Sequence, residues 1–164
     1  MMLEFQTKPD YGSAKRYVRV YIAHPLNGLT GSDEEKRANI AENEKICRMV
    51  LDECKWAVPL SPLCAFGFHP GSDQEDAMKC CYKLLDKCAE VWVFGDWERS
   101  SGTTREIIYA LSSHMTVRFF TFSNGHASEY KSEESLPAFC RYLADRLRDL
   151  LGARSPVTEG GAPA

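Results

Sequence analysis

The chain has 164 residues, one domain's length and enough to bury a substantial core. Apolar residues make up 44% and charged residues 26%, an ordinary globular balance, and no apolar run approaches the roughly 20 residues that span a bilayer. Basic residues number 20 and acidic ones 23, for a net charge of −3, and no Lys/Arg cluster forms a track for DNA or RNA. A small anion held by backbone amides remains compatible with that charge. Residues 1–16 are polar and mixed and read as a flexible arm without a hydrophobic leader, so a cytoplasmic protein is expected. VRVYIA at 18–23 is rich in β-branched and aromatic residues and reads as the first strand, broken by His24-Pro25-Leu26-Asn27-Gly28. Ser32 and Glu35 form a capping box that opens a helix running to about Cys54. WAVPL at 56–60 is a short second strand, and 61–71, with Pro62, Gly67, Pro70 and Gly71, reads as a loop.

Ser72 and Glu75 make a second capping box, and its helix runs to about Lys87 with Met78, Cys81, Tyr82 and Leu85 on one side. EVWVF at 90–94 is nearly continuous in apolar character, as a strand covered on both faces should be. After Gly95 and the loop DWERSS, a helix is expected over 103–114, then a strand VRFFTF at 117–122 and a loop over 123–131. A last amphipathic helix is expected over 132–151, followed by a disordered tail at 152–164. The order β-α-β-α-β-α-β-α implies a single α/β domain over 17–151, with a doubly wound parallel sheet and right-handed crossovers. Ligands of such sheets bind beyond the carboxyl ends of the strands, where strand order reverses. The loops at 24–31 and 95–102 are the candidates.

Seven cysteines are present, an odd number with no C-x-x-C pair, so neither a metal site nor a cofactor is expected. Cys47 and Cys54, like Cys81 and Cys88, are seven apart on helices and read as reduced thiols packed on one face.

The segment SSGTTREIIYA at 100–110 joins a hydroxyl-rich turn, one glycine and a helix start. Its amides, with the hydroxyls of Ser100, Ser101 and Thr103, can hold a phosphate or a sugar hydroxyl. Glu106 follows one turn in, where the helix dipole favours the ionised carboxylate of a nucleophile. Thr103-x-x-Glu106 is also a capping box, so Glu106 can equally serve as a cap. Strand alternation sends Tyr21 and Ala23 to one face of the sheet and Ile22 and His24 to the other. Tyr21 reads as a packed aromatic. His24, Asn27 and Gly28 either meet a ligand or make a turn. Asp76 either complements a helix dipole or acts as an acid. Trp97 stacks on a base or covers the sheet's end, as do Phe66, Phe68 and His69.

These pieces resemble the nucleoside 2-deoxyribosyltransferase superfamily, which includes the 2'-deoxynucleoside 5'-phosphate N-hydrolases. The resemblance rests on VYIAHP, on AEVWVFG at 89–95 and on SSGTTREIIYA, in that order, from about residue 18 to 122. It implies a flavodoxin-like fold and a small nucleoside or nucleotide substrate. It further implies cleavage or transfer of the N-glycosidic bond through a glutamate that attacks C1', and a homodimer or higher homo-oligomer. Position by position it makes Glu106 the nucleophile, Tyr21 its neighbour and Asp76 the acid that protonates the leaving base. Ser100 and Gly102 fall in the turn that holds the sugar or its phosphate. The chain departs from the family pattern in three places. The first loop has no arginine for a phosphate, Ser100 stands where many transferases have aspartate, and Ile108 replaces a frequent glycine. The alternative is a non-catalytic nucleotide-binding or regulatory module using the same loops. A flavin protein fits poorly, because the first loop lacks a hydroxyl- and glycine-rich run.

Overall fold

Six strands form one sheet in the order β1-β6-β5-β4-β2-β3. The computed structural model describes residues 2–5, 17–66 and 74–130, all within one compact unit. The helix expected at 132–151, the tail, Cys140, Phe68, His69 and the capping Ser72 lie outside the described residues. The strands are β1 (Met2–Glu4), β2 (Val18–Ala23), β3 (Ala57–Leu60), β4 (Glu90–Val93), β5 (Thr116–Ser123) and β6 (His126–Glu129). The helices are α1 (Asp33–Glu53), α2 (Pro62–Phe66), α3 (Gln74–Leu85) and α4 (Ser101–Ser112), with a 3-10 turn at Trp97–Arg99.

The four expected strands pair in parallel as β3-β2-β4-β5. In chain order that is 2-1-3-4, the flavodoxin-like doubly wound arrangement, and strand order reverses between β2 and β4. The carboxyl ends of β2 and β4 therefore flank the crevice where a ligand belongs. β4 is buried along its whole length. Its one charged residue, Glu90, is tolerated because Trp92 Nε1 donates to it at 2.8 Å and Arg118 Nε at 3.1 Å.

Two short strands at the β1 end of the sheet depart from the sequence reading. Residues 123–131, expected as a loop, contain β6, which pairs antiparallel with β5 across Asn124-Gly125. Both turn residues have positive φ, 52° and 75°, the left-handed pair that a tight hairpin requires. Met2–Glu4, expected within a flexible arm, lie parallel against β6. Phe5 then packs its ring on Trp92, Trp56 and Phe120 at 5.2, 6.2 and 5.8 Å. Short strands escape periodicity because three or four residues show no repeat.

Strand alternation divides the core. Val20, Ile22, Trp92, Phe94 and Phe120 pack with Ile46, Met49 and Val50 of α1. Tyr21 projects the other way and reaches α4. Among the described residues no helix is long and apolar enough to cross a membrane.

Candidate active site

The start of α4 determines what Glu106 can do. Ser100, with an extended backbone, is the N-cap, and its Oγ accepts the Thr103 amide at 3.2 Å and the Thr103 hydroxyl at 3.0 Å. The helix thus begins at Ser101, two residues before the expected Thr103. Glu106 then lies in the second turn, beyond the amides that a helix start leaves unpaired. Its carboxylate does not cap the helix. It crosses to β2, where the Tyr21 hydroxyl donates to Oε1 at 2.7 Å, and the Cys81 thiol of α3 is near enough to favour its charged form.

Glu106 is 5% exposed and Tyr21 wholly buried. Burial raises the Glu106 pKa from the ordinary carboxylate value to about 7, against the opposing pull of hydrogen bonds from Tyr21 and Cys81. This corrects the expectation that the helix dipole keeps the group ionised. Burial prevails because neither Tyr21 nor Cys81 brings a positive charge to the carboxylate. Tyr21 in turn has its ionisation pushed well above normal, by burial first and by the Glu106 charge second, so the phenol stays a donor. Burial likewise lifts the Cys81 thiol to about 12. The result is a buried carboxyl that titrates near neutrality, oriented through one oxygen by a permanent donor.

The other expected residues are placed differently. Asp76, in the first turn of α3, has a side chain 67% exposed and binds Lys79 Nζ at 2.7 Å. Glu106's partners do not include it. Trp97 is buried against Phe119, ring centroids 5.1 Å apart, with its carbonyl accepting from the Thr104 hydroxyl. It covers the end of the sheet, one of its two expected roles. Ser101 accepts from Gln74 Nε2 at 3.4 Å, and Gly102 faces the Met78 sulfur. The turn 100–103 thus joins α4 to its cap and to α3.

His24, Asn27 and Gly28 line a cavity of about 330 Å³ together with Asn39, Glu42, Gly95 and Arg99. It lies at the β2/β4 crossover, as the topology demands. The buried His24 ring places Nδ1 2.9 Å from the Pro25 carbonyl and Nε2 3.1 Å from Glu42 Oε1. Gly95, at φ 72°, lies over it, and a β-carbon there would come within 3.1 Å of His24 Nε2. Glu35 accepts from the Thr30 amide and hydroxyl at 2.9 and 2.7 Å and closes the rim against Gly28. Glu106 is not part of this lining. His24 and Tyr21 leave β2 on opposite faces, as their alternation requires.

Two contributors escaped the sequence reading. Cys81 was legible only as one apolar helix position, since its meeting with Glu106 joins α3 to α4. Glu42 had a signal: Glu35, Asn39 and Glu42 recur at helical spacing and put polar groups on one face of α1. Among the described residues no group of three or more His, Cys, Asp or Glu is placed to hold a metal ion.

A family model described as a domain of unknown function (DUF4406) matches residues 18–119. Among solved structures, the chain is similar to a 2-deoxyribosyltransferase from Leishmania mexicana, with a TM-score of 0.45 and 17% identity. That match covers 65% of this chain and 65% of the other, so the chain spans just under two thirds of that enzyme's length. No curated protein matches.

Proposed function

The chain belongs to the DUF4406 family, and from that premise and the Glu106 centre we propose that it cleaves or transfers the N-glycosidic bond of a small nucleoside or nucleotide. The observation that carries the reading is the Tyr21–Glu106 contact at 2.7 Å, which takes the carboxylate away from its own helix and buries it. Breaking an N-glycosidic bond builds positive charge on the sugar ring. A carboxylate beneath the ring traps that charge, as in retaining glycosidases. In this reading one Glu106 oxygen bonds C1', the C1'–N bond breaks, and its electron pair leaves with the base. Water or a second base then attacks C1' and releases the carboxylate. Tyr21 holds the opposite oxygen and fixes the angle of attack. Because Glu106 titrates near 7, the ionised nucleophile is present above that pH and lost below it. The acid that protonates the departing base is left unassigned, since Asp76 is engaged with Lys79. The reading also carries a cytoplasmic location and a homo-oligomeric assembly.

A second reading, a nucleotide-binding module without catalysis, is favoured by one observation. The cavity at the crossover is lined by His24, Asn27 and Gly28 and not by Glu106.

The deciding experiment incubates the full chain with ribo- and deoxynucleosides and their 5'-monophosphates, with and without an acceptor base. Free base is followed by chromatography. Wild type is expected to release base from at least one, and Glu106→Gln to fall by at least about 100-fold. Binding without release by wild type selects the second reading.

A further inference from the structure

Cys47 of α1 and Cys64 of α2 flank the contact between these two helices, and neither lines the His24 cavity or bonds to Glu106. The contact is built as two rungs. In the first, Asn43 Nδ2 of α1 donates to Ser61 Oγ at 2.7 Å, and Ser61 Oγ also accepts the Cys64 amide at 3.4 Å. The second rung lies one turn along each helix. Cys47 follows Asn43 by four residues and donates its thiol to Asn43 Oδ1 at 3.5 Å. Cys64 follows Ser61 by three, which brings it beside Cys47 across the α1–α2 contact, and its proximity is one of the causes that raise the Cys47 thiol. Both are reduced, and Cys64 is exposed while Cys47 is half-buried. Cys64 also lines a cavity of about 240 Å³ with Pro59, Leu60, Ser61, Ala65 and Leu84, so a small oxidant can reach its sulfur.

We propose that Cys47 and Cys64 are a redox-modification site that closes to an intramolecular disulfide under hydrogen peroxide, stapling α2 to α1. The exposed Cys64 thiolate attacks the peroxide O–O bond, becomes a sulfenic acid and releases the other oxygen as water. The Cys47 sulfur then displaces the sulfenic hydroxyl, which leaves with the Cys47 proton as a second water. Two thiols are oxidised and one peroxide is reduced to two waters. The order of events follows from burial, which pushes the Cys47 thiol up to about 12 and makes it the resolving partner.

The test treats dilute full-length protein with hydrogen peroxide, quenches it with iodoacetamide and maps unreduced peptides by mass spectrometry. The expected result is a cross-linked pair containing Cys47 and Cys64, absent in Cys64→Ser and retained in Cys80→Ser. Cys47→Ser should instead leave a sulfenic acid at position 64 that dimedone labels. The proposal is overturned if Cys47 and Cys64 both stay free or over-oxidise singly, or if Cys64 is found joined to Cys80 or to a second chain.

Discussion

Glu106 and Glu42 both reach the carboxyl end of β2, from opposite faces of the same sheet, and they are held in opposite ways. Glu106 meets a phenol and a thiol, both neutral, and is almost completely buried. Burial dominates, and its pKa climbs to about 7. Glu42 has a side chain 44% exposed and accepts from a histidine ring. The hydrogen bond from His24 dominates, and its pKa falls below the ordinary carboxylate value. The two glutamates thus differ because one is desolvated among neutral groups and the other is bonded while still partly exposed. A carboxylate needed only for structure gains from the second arrangement. The first costs stability whenever the group ionises, a cost expected where reactivity is the purpose.

The largest test of this contrast is the pH dependence of Glu106→Gln. A carboxyl whose folded pKa lies above its unfolded value stabilises the fold fully below the unfolded value, and that contribution is lost as pH rises through about 7. Wild type and variant should therefore unfold alike near pH 4 in urea titrations. At pH 8 the glutamine variant should be more stable, by an amount on the order of 3 kcal/mol. Equal stability at both pH values would mean that Glu106 is not held as described. Tyr21→Phe removes the donor and should cost about 2 kcal/mol at pH 8, where Glu106 is ionised, and less at pH 5. It should also shift the acid limb of any base-release profile upward, since Tyr21 lowers the Glu106 pKa. Combined with Glu106→Gln the cost should shrink, and additivity in that double-mutant cycle would break the proposed pairing.

Glu42→Gln gives the smallest effect and the opposite sign. With its folded pKa lowered, Glu42 contributes stability above the ordinary carboxylate range and loses it as pH falls through the folded pKa. Its exposure limits the cost to below about 1 kcal/mol at pH 7, vanishing near pH 3. Thermal denaturation at both pH values resolves the sign. A stabilising Glu42→Gln would remove the contrast between the two faces.

Much of this architecture was legible locally. The Ser32 cap, the parallel order through β5 and the opposite facing of Tyr21 and His24 each depend on residues a few positions apart, or on the alternation of elements. The β5–β6 hairpin was missed, since 123–131 was read as a loop and the four residues of strand after Asn124-Gly125 are too short to show a repeat. The Cys47–Cys64 and Glu42–His24 contacts were not, because each joins elements whose packing no local pattern encodes.

By itself the sequence determined a doubly wound α/β chain and offered two loops and one glutamate as candidates for its chemistry. Helical spacing, strand alternation and capping all act within a turn or two, and they are written in neighbouring residues. The tertiary structure alone decided that Ser100 caps α4, that Glu106 crosses to a tyrosine 85 positions away, and that burial brings its titration near neutrality. Desolvation is a property of everything packed around a group, and it exists only once the chain has folded.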